Sequence, residues 1–151
     1  MVNDRQSVIH HCGSKWHRRF FMERFLGKYS PCLYTTLRIL AGLMFAMHGS
    51  QKLFAWPGGN AAVPLASLMG VAGLVELIGG LMIALGLLTS YAAFIASGQM
   101  AVAYFKAHAP QGALPLLNRG ELSVLYCFLF HYIAAQGAGG WSLDAMLRRK
   151  N

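Results

Sequence analysis

Residues 33–54 read LYTTLRILAGLMFAMHGSQKLF. From Leu33 to Leu53 this run is apolar over the ~20 residues that cross a ~30 Å hydrocarbon core, yet it holds Arg38, His48 and Lys52. In lipid the backbone has no water to bond, so such a run must be helical. Arg38, Ala41, Phe45, His48 and Lys52 then fall at alternating three- and four-residue intervals, the seam spacing of packed helices. One helix face therefore carries Arg38 near one end, and His48 above Lys52 near the other.

The remainder of the chain repeats the pattern. Of 151 residues, 56% are hydrophobic and 12% charged, a charged share about half that of soluble domains. A soluble protein of this size could not hide so much apolar surface. Three more apolar segments run approximately from Pro64 to Leu88, Thr89 to Ala107 and Gly120 to Gln136. WPGGN and HAPQGALPLLNR separate them as loops, and GLLTS as a tight hairpin in which Thr89 is placed as N-cap. The expectation is an all-α integral membrane protein, with a four-transmembrane-helix bundle over residues 31–151.

Ahead of it, residues 1–30 form a basic cytoplasmic tail. Within this tail SKWHRRFFMERFLGKYS spaces aromatic residues among basic ones, as an amphipathic helix lying on the membrane surface does. A partly disordered tail is the other reading. No small-residue cleavage site follows the first apolar run, so the tail does not read as a signal peptide.

The net charge of +8 is concentrated before the first apolar run and after the last, where Arg148, Arg149 and Lys150 lie. That distribution points to a lipid bilayer rather than nucleic acid as partner. Basic residues favour the cytoplasmic side, so four crossings leave both termini in the cytoplasm. Cys12, Cys32 and Cys127 are scattered, with neither a metal-binding nor a redox spacing. No metal site and no intrinsic cofactor is read from the sequence.

Depth then sorts the polar residues. Glu76 and Gln99 fall near mid-membrane, where an ionisable group must find a partner. Around Glu76, the positions three and four residues away are Ala72, Gly73, Gly79 and Gly80, the small residues of a close helix contact. Arg38 can extend toward it, so a buried Arg38–Glu76 ion pair is expected, with Gln99 as an interhelical hydrogen bonder. His48, Lys52, His108, Asn118 and Glu121 should gather at the outer surface. His48 and Lys52 are read either as ligands or as interfacial residues, with Lys52 snorkelling. Asn118 and Glu121 also fit an N-cap and its reciprocal partner. Bis-histidine haem ligation would need two histidines at equal depth, and only His48 with His108 could supply them.

In order, the arginine of LRILAGLMF, HGSQKLF, GLVELIGGLMIALGLLTSYAA, the NRGE turn and GGWSLD resemble the pattern of the DoxX family over approximately Leu37 to Arg148. The resemblance implies a four-helix protein of the bacterial cytoplasmic membrane. Some members of that family are associated with redox complexes, as a small quinone-reducing subunit in thiosulfate oxidation or as a membrane anchor for oxidative-stress and thiol enzymes. The basic extension up to about Ser30 has no counterpart in the pattern.

Three functions are compatible with these residues. A cofactor-free membrane subunit of a quinone-linked or thiol oxidoreductase would need hydrogen-bond donors beside an apolar channel, from His48, Lys52, Glu121 or Gln99 with Tyr104. Its other partners would be the proteins of a membrane redox complex. A non-enzymatic scaffold would use the basic tail. Transport of protons or a small solute, suggested by Glu76, ranks last because close-packed glycines leave little room for a pathway.

Overall fold

The computed structural model describes residues 25–59 and 61–149, which are helical with no strand among them. The chain divides into two units, Met1–Cys32 and Leu33–Asn151. Of the first unit, a 3-10 turn at Gly27–Tyr29 is described, with the Lys28 ammonium over the rings of Phe25 and Tyr29. Most of the expected amphipathic segment, Trp16 and Phe20 included, lies outside the described residues.

Five α-helices follow: α1 (Ser30–Phe54), α2 (Leu68–Leu85), α3 (Thr89–Ala103), α4 (Glu121–Gln136) and the short α5 (Leu143–Arg148). The four apolar runs are thus the four longer helices. Two helices, Gly27–Phe54 with its leading turn and Leu68–Leu85, are long and apolar enough to cross a membrane. Helices α3 and α4 are shorter than the sequence suggests, at 15 and 16 residues. Pro110 accounts for the early end of α3. Its ring crowds the carbonyl four residues back and it offers no N–H, and the chain widens into a π-turn at Tyr104–His108 before a 3-10 turn at Ala109–Gln111.

The α1–α2 contact is built on glycine. A Cβ on Gly42 would sit 2.6 Å from the backbone of Gly80 and Ala84, and one on Gly80 would sit 2.5 Å from Ala46 N. Further along, Gly49 abuts the backbone of Gly73 and Leu77. Rising numbers on α1 meet falling numbers on α2, so the pair is antiparallel. Such backbone proximity admits only small residues, the usual device where lipid supplies no hydrophobic drive between helices.

The core of the second unit combines small and aromatic side chains. Ala41, Ala92, Ala93 and Ala96 pack with Phe45, Phe130, Ile83 and Ile133, and Tyr126 stacks on Phe130 at 5.2 Å. Large apolar side chains point the other way on all four helices, among them Leu40, Met44, Ile78, Phe94 and Phe128. Small residues inside and large apolar ones outside suit an apolar solvent.

One end of the bundle is fastened by hydrogen bonds. Gly86 (φ 74°) closes α2 in a left-handed turn, with Gly86 N and Leu87 N donating to the carbonyls of Ile83 and Met82. No side chain fits there in any case, because Ser142 packs against Gly86. Thr89 is the first residue of α3 rather than its cap. Leu88 holds the cap position, and the Asp144 carboxylate accepts from Leu88 N at 2.9 Å and Thr89 N at 3.2 Å. A carboxylate distant in sequence thus satisfies the first N–H groups of α3, where the helix dipole favours an anion.

Candidate functional site

Which charged groups can meet is decided by the α1–α2 register. Gly42 lies against Gly80 and Ala84, and Gly49 against Gly73 and Leu77. Arg38, a turn before Gly42, is therefore level with the end of α2 near Gly86, ~15 Å along the axis from Glu76 at 1.5 Å per residue. Lys52 lies beside Gly73, one turn from Glu76, and a lysine side chain covers that distance.

The expected Arg38–Glu76 ion pair is accordingly not formed. Arg38 is 1% exposed, and its guanidinium donates to three carbonyls: Ile83 O, Ala84 O at 2.8 Å and Trp141 O at 2.8 Å. Two of these belong to the last turn of α2, where carbonyls lack the regular helical partner, although Ile83 O also accepts from Gly86 N. Arg38 is thus a cap for α2 and a tie to the segment before α5. Nearby, the Tyr34 hydroxyl donates to Gly137 O, and the Ser142 hydroxyl caps α5 through Ala145 N at 3.2 Å.

Glu76, also 1% exposed, pairs instead with Lys52, whose ammonium contacts Oε1. Gln99 of α3 donates to the same oxygen at 2.9 Å and to Ala72 O at 3.2 Å. Lys52, Glu76 and Gln99 thus join α1, α2 and α3 in one polar cluster. The Glu76 side chain is enclosed and Gln99 is half-buried, while the Lys52 side chain keeps 28% of its surface open. Two acceptor atoms of the cluster, Glu76 Oε2 and Gln99 Oε1, are buried without a donor among the described residues.

The other sequence candidates divide among three places. Tyr104, His108 and Asn118 form a latch over the loop after α3. Asn118 Nδ2 donates to Gly112 O at 2.6 Å and Tyr104 OH to Ala113 O at 3.1 Å, while His108 Nδ1 lies 3.1 Å from Asn118 O. The rings of Tyr104 and His108 stack. Asn118 does not cap α4. Its Oδ1 accepts from Gly120 N at 2.8 Å in a local turn that includes Arg119 (φ 58°), and Gly120 stands at the cap with no side-chain bond. Glu121 opens α4 exposed, and forms no reciprocal cap.

His48 sets its ring edge-on to Tyr126 at 6.3 Å and lines a groove of about 180 Å³ with Met44, Met47, Gln51 and Pro57. The five residues expected together at one surface therefore have four different environments. Sequence reading missed Asp144 as the α3 cap, although the acidic residue of Ser-Leu-Asp was in view. It also missed Ser97, which donates to Cys127 O at 2.8 Å and ties α3 to α4. Serine in an apolar helix was the available signal.

The DoxX family model matches residues 33–109, which takes in Arg38, Lys52, Glu76 and Gln99 but stops short of Asn118 and Asp144. An uncharacterized protein of Haemophilus influenzae is 44% identical over 132 residues, covering 83% of this chain and 98% of its own length. No solved structure matches the chain.

Proposed function

Because the chain belongs to the DoxX family, we propose that it is a cofactor-free membrane subunit of a quinone-linked redox system, with its headgroup site at Lys52, Glu76 and Gln99. One observation carries this reading: a carboxylate buried to 1% keeps one oxygen bare beside a lysine that is still partly open. An ionised group held this way is costly in an apolar protein unless something uses it. A quinone headgroup needs donors at its oxygens and an apolar surround for its tail. The Lys52 ammonium has hydrogens beyond the one given to Glu76, and the outward face of the helices is apolar.

The same reading places the protein in the bacterial cytoplasmic membrane with four crossings and both termini inside. Basic residues flank the first and last apolar runs. The Arg38 end of α1, the α2–α3 hairpin and the segment leading to α5 also meet at one end through Arg38 and Asp144, as an even number of crossings requires. Helices α3 and α4 would cross with flanking turns and local thinning of the bilayer.

The test is equilibrium binding of a short-chain ubiquinone analogue to the purified chain. The wild type should bind it saturably, and Lys52→Met should weaken binding at least about tenfold, as loss of a charged donor does. Absence of saturable binding by the wild type removes the quinone reading.

A further inference from the structure

A short stretch of α1 gathers soft donor atoms. The helix holds one histidine and two methionines, and they fall together as Met44, Met47 and His48. Spacings of three and four residues put Met47 and His48 beside Met44 on one face. Helical side chains lean back toward the N-terminus, so the later two reach over the turn of the first. All three line the same groove of about 180 Å³, which Gln51 and Pro57 complete. Gln51 Nε2 donates to Pro57 O at 3.1 Å and so ties the following loop to the helix there. The His48 ring is set edge-on against Tyr126, itself buried and stacked on Phe130. Neither nitrogen of that ring has a hydrogen-bond partner among the described residues. Met44 and Met47 are 52% and 48% exposed, so their sulfurs are within reach from outside.

This donor set is selective. No acidic residue lines the groove, and no three His, Cys, Asp or Glu side chains gather to hold a metal among the described residues. Hard and borderline divalent ions thus find no anionic ligand here. Thioether sulfur is soft and favours Cu(I), which imidazole also binds. Three neutral donors leave the charge of an ion uncompensated. The cost of holding it in apolar surroundings grows with the square of that charge, which again favours a monovalent ion. We propose that Met44, Met47 and His48 form a three-donor site for Cu(I). Half open to the surroundings, it suits an ion taken up and passed on rather than a resident cofactor. The groove is not lined by Lys52, Glu76 or Gln99, and the site stands whether or not the chain binds a quinone.

The full chain carrying Cys12→Ser, Cys32→Ser and Cys127→Ala, in lipid nanodiscs, is titrated anaerobically with Cu(I) against the chromophoric chelator bicinchoninate. With every thiol removed, sulfur around the metal can come only from methionine. This chain should take one equivalent from the chelator, and X-ray absorption should show two sulfur neighbours and one nitrogen. Met44→Leu, Met47→Leu and His48→Phe should each weaken binding at least about tenfold, the scale at which even supporting residues of a metal site act. Leucine replaces methionine with little strain, so the first two variants carry the test if the third does not fold. The same substitutions in the natural chain should remove one equivalent, which keeps the test open if the thiol-free chain does not fold. No transfer of copper from the chelator, or binding that all three substitutions leave unchanged, overturns the site. Equal retention of Zn(II) overturns its selectivity for a soft monovalent ion.

Discussion

At the scale of single residues, Arg38 and Glu76 resolve the same physical problem in different ways. Each is an ionisable group buried to 1%. Arg38 bonds backbone carbonyls through its terminal nitrogens, with Nε left without a partner among the described residues, and Glu76 bonds a lysine and an amide through Oε1. Arg38→Met would remove the guanidinium from the carbonyls of Ala84 and Trp141 and leave Ile83 O with Gly86 N alone, at a cost of about 2–4 kcal/mol. Thermal unfolding in detergent should show a clear fall in midpoint, with Arg38→Lys intermediate because an ammonium cannot span three carbonyls in one plane. The need for both residues to be partnered is legible in the sequence, since charge in an apolar run is expensive. Their partners are not, because acceptors on the backbone leave no trace in residue identity. Nor does the spacing within α1 reveal how far α2 slides along it.

Among the elements, glycine sets that slide. Gly42, Gly49 and Gly80 put α1 and α2 backbone to backbone, whereas a Cβ on Gly98 of α3 would meet nothing within 4 Å. Gly80→Val should therefore sharply lower the yield of folded protein on size-exclusion chromatography, and Gly98→Ala should leave it unchanged. The small residues around Glu76 announce a close contact in the sequence. The matching Gly42 and Gly49 lie beside the seam positions and are easily passed over. Helix existence is readable from apolar run length, but the ends depend on particular groups: Pro110 shortens α3, and Asp144 rather than Thr89 caps it. Asp144→Ala removes the acceptor for two backbone N–H groups, which should cost about 1 kcal/mol. Faster amide exchange at Leu88 and Thr89 would locate the loss.

For the whole molecule, polar chemistry is segregated into separate regions of one helical unit. Arg38, Asp144, Ser142 and Tyr34 fasten one end, while Lys52, Glu76 and Gln99 are held together elsewhere. The first group spends its bonds on the backbone and keeps one buried donor, Arg38 Nε, without a partner among the described residues, whereas the second keeps two unused acceptors beside a lysine that is partly open, so binding is assigned to the second. Under the proposed topology a fluorescent reporter fused after Asn151 should fold in the cytoplasm, and a periplasm-dependent phosphatase at the same point should be inactive. Apolar content and basic flanks let the sequence reveal the helical membrane class, but not the separation of its polar groups, which follows from helix register. That separation is tested most directly by two double-mutant cycles on thermal stability in detergent, Lys52→Met with Glu76→Gln and Arg38→Met with Glu76→Gln. The account predicts a coupling of about 1–3 kcal/mol in the first cycle and additivity within about 0.5 kcal/mol in the second. Coupling between Arg38 and Glu76, with none between Lys52 and Glu76, would contradict it.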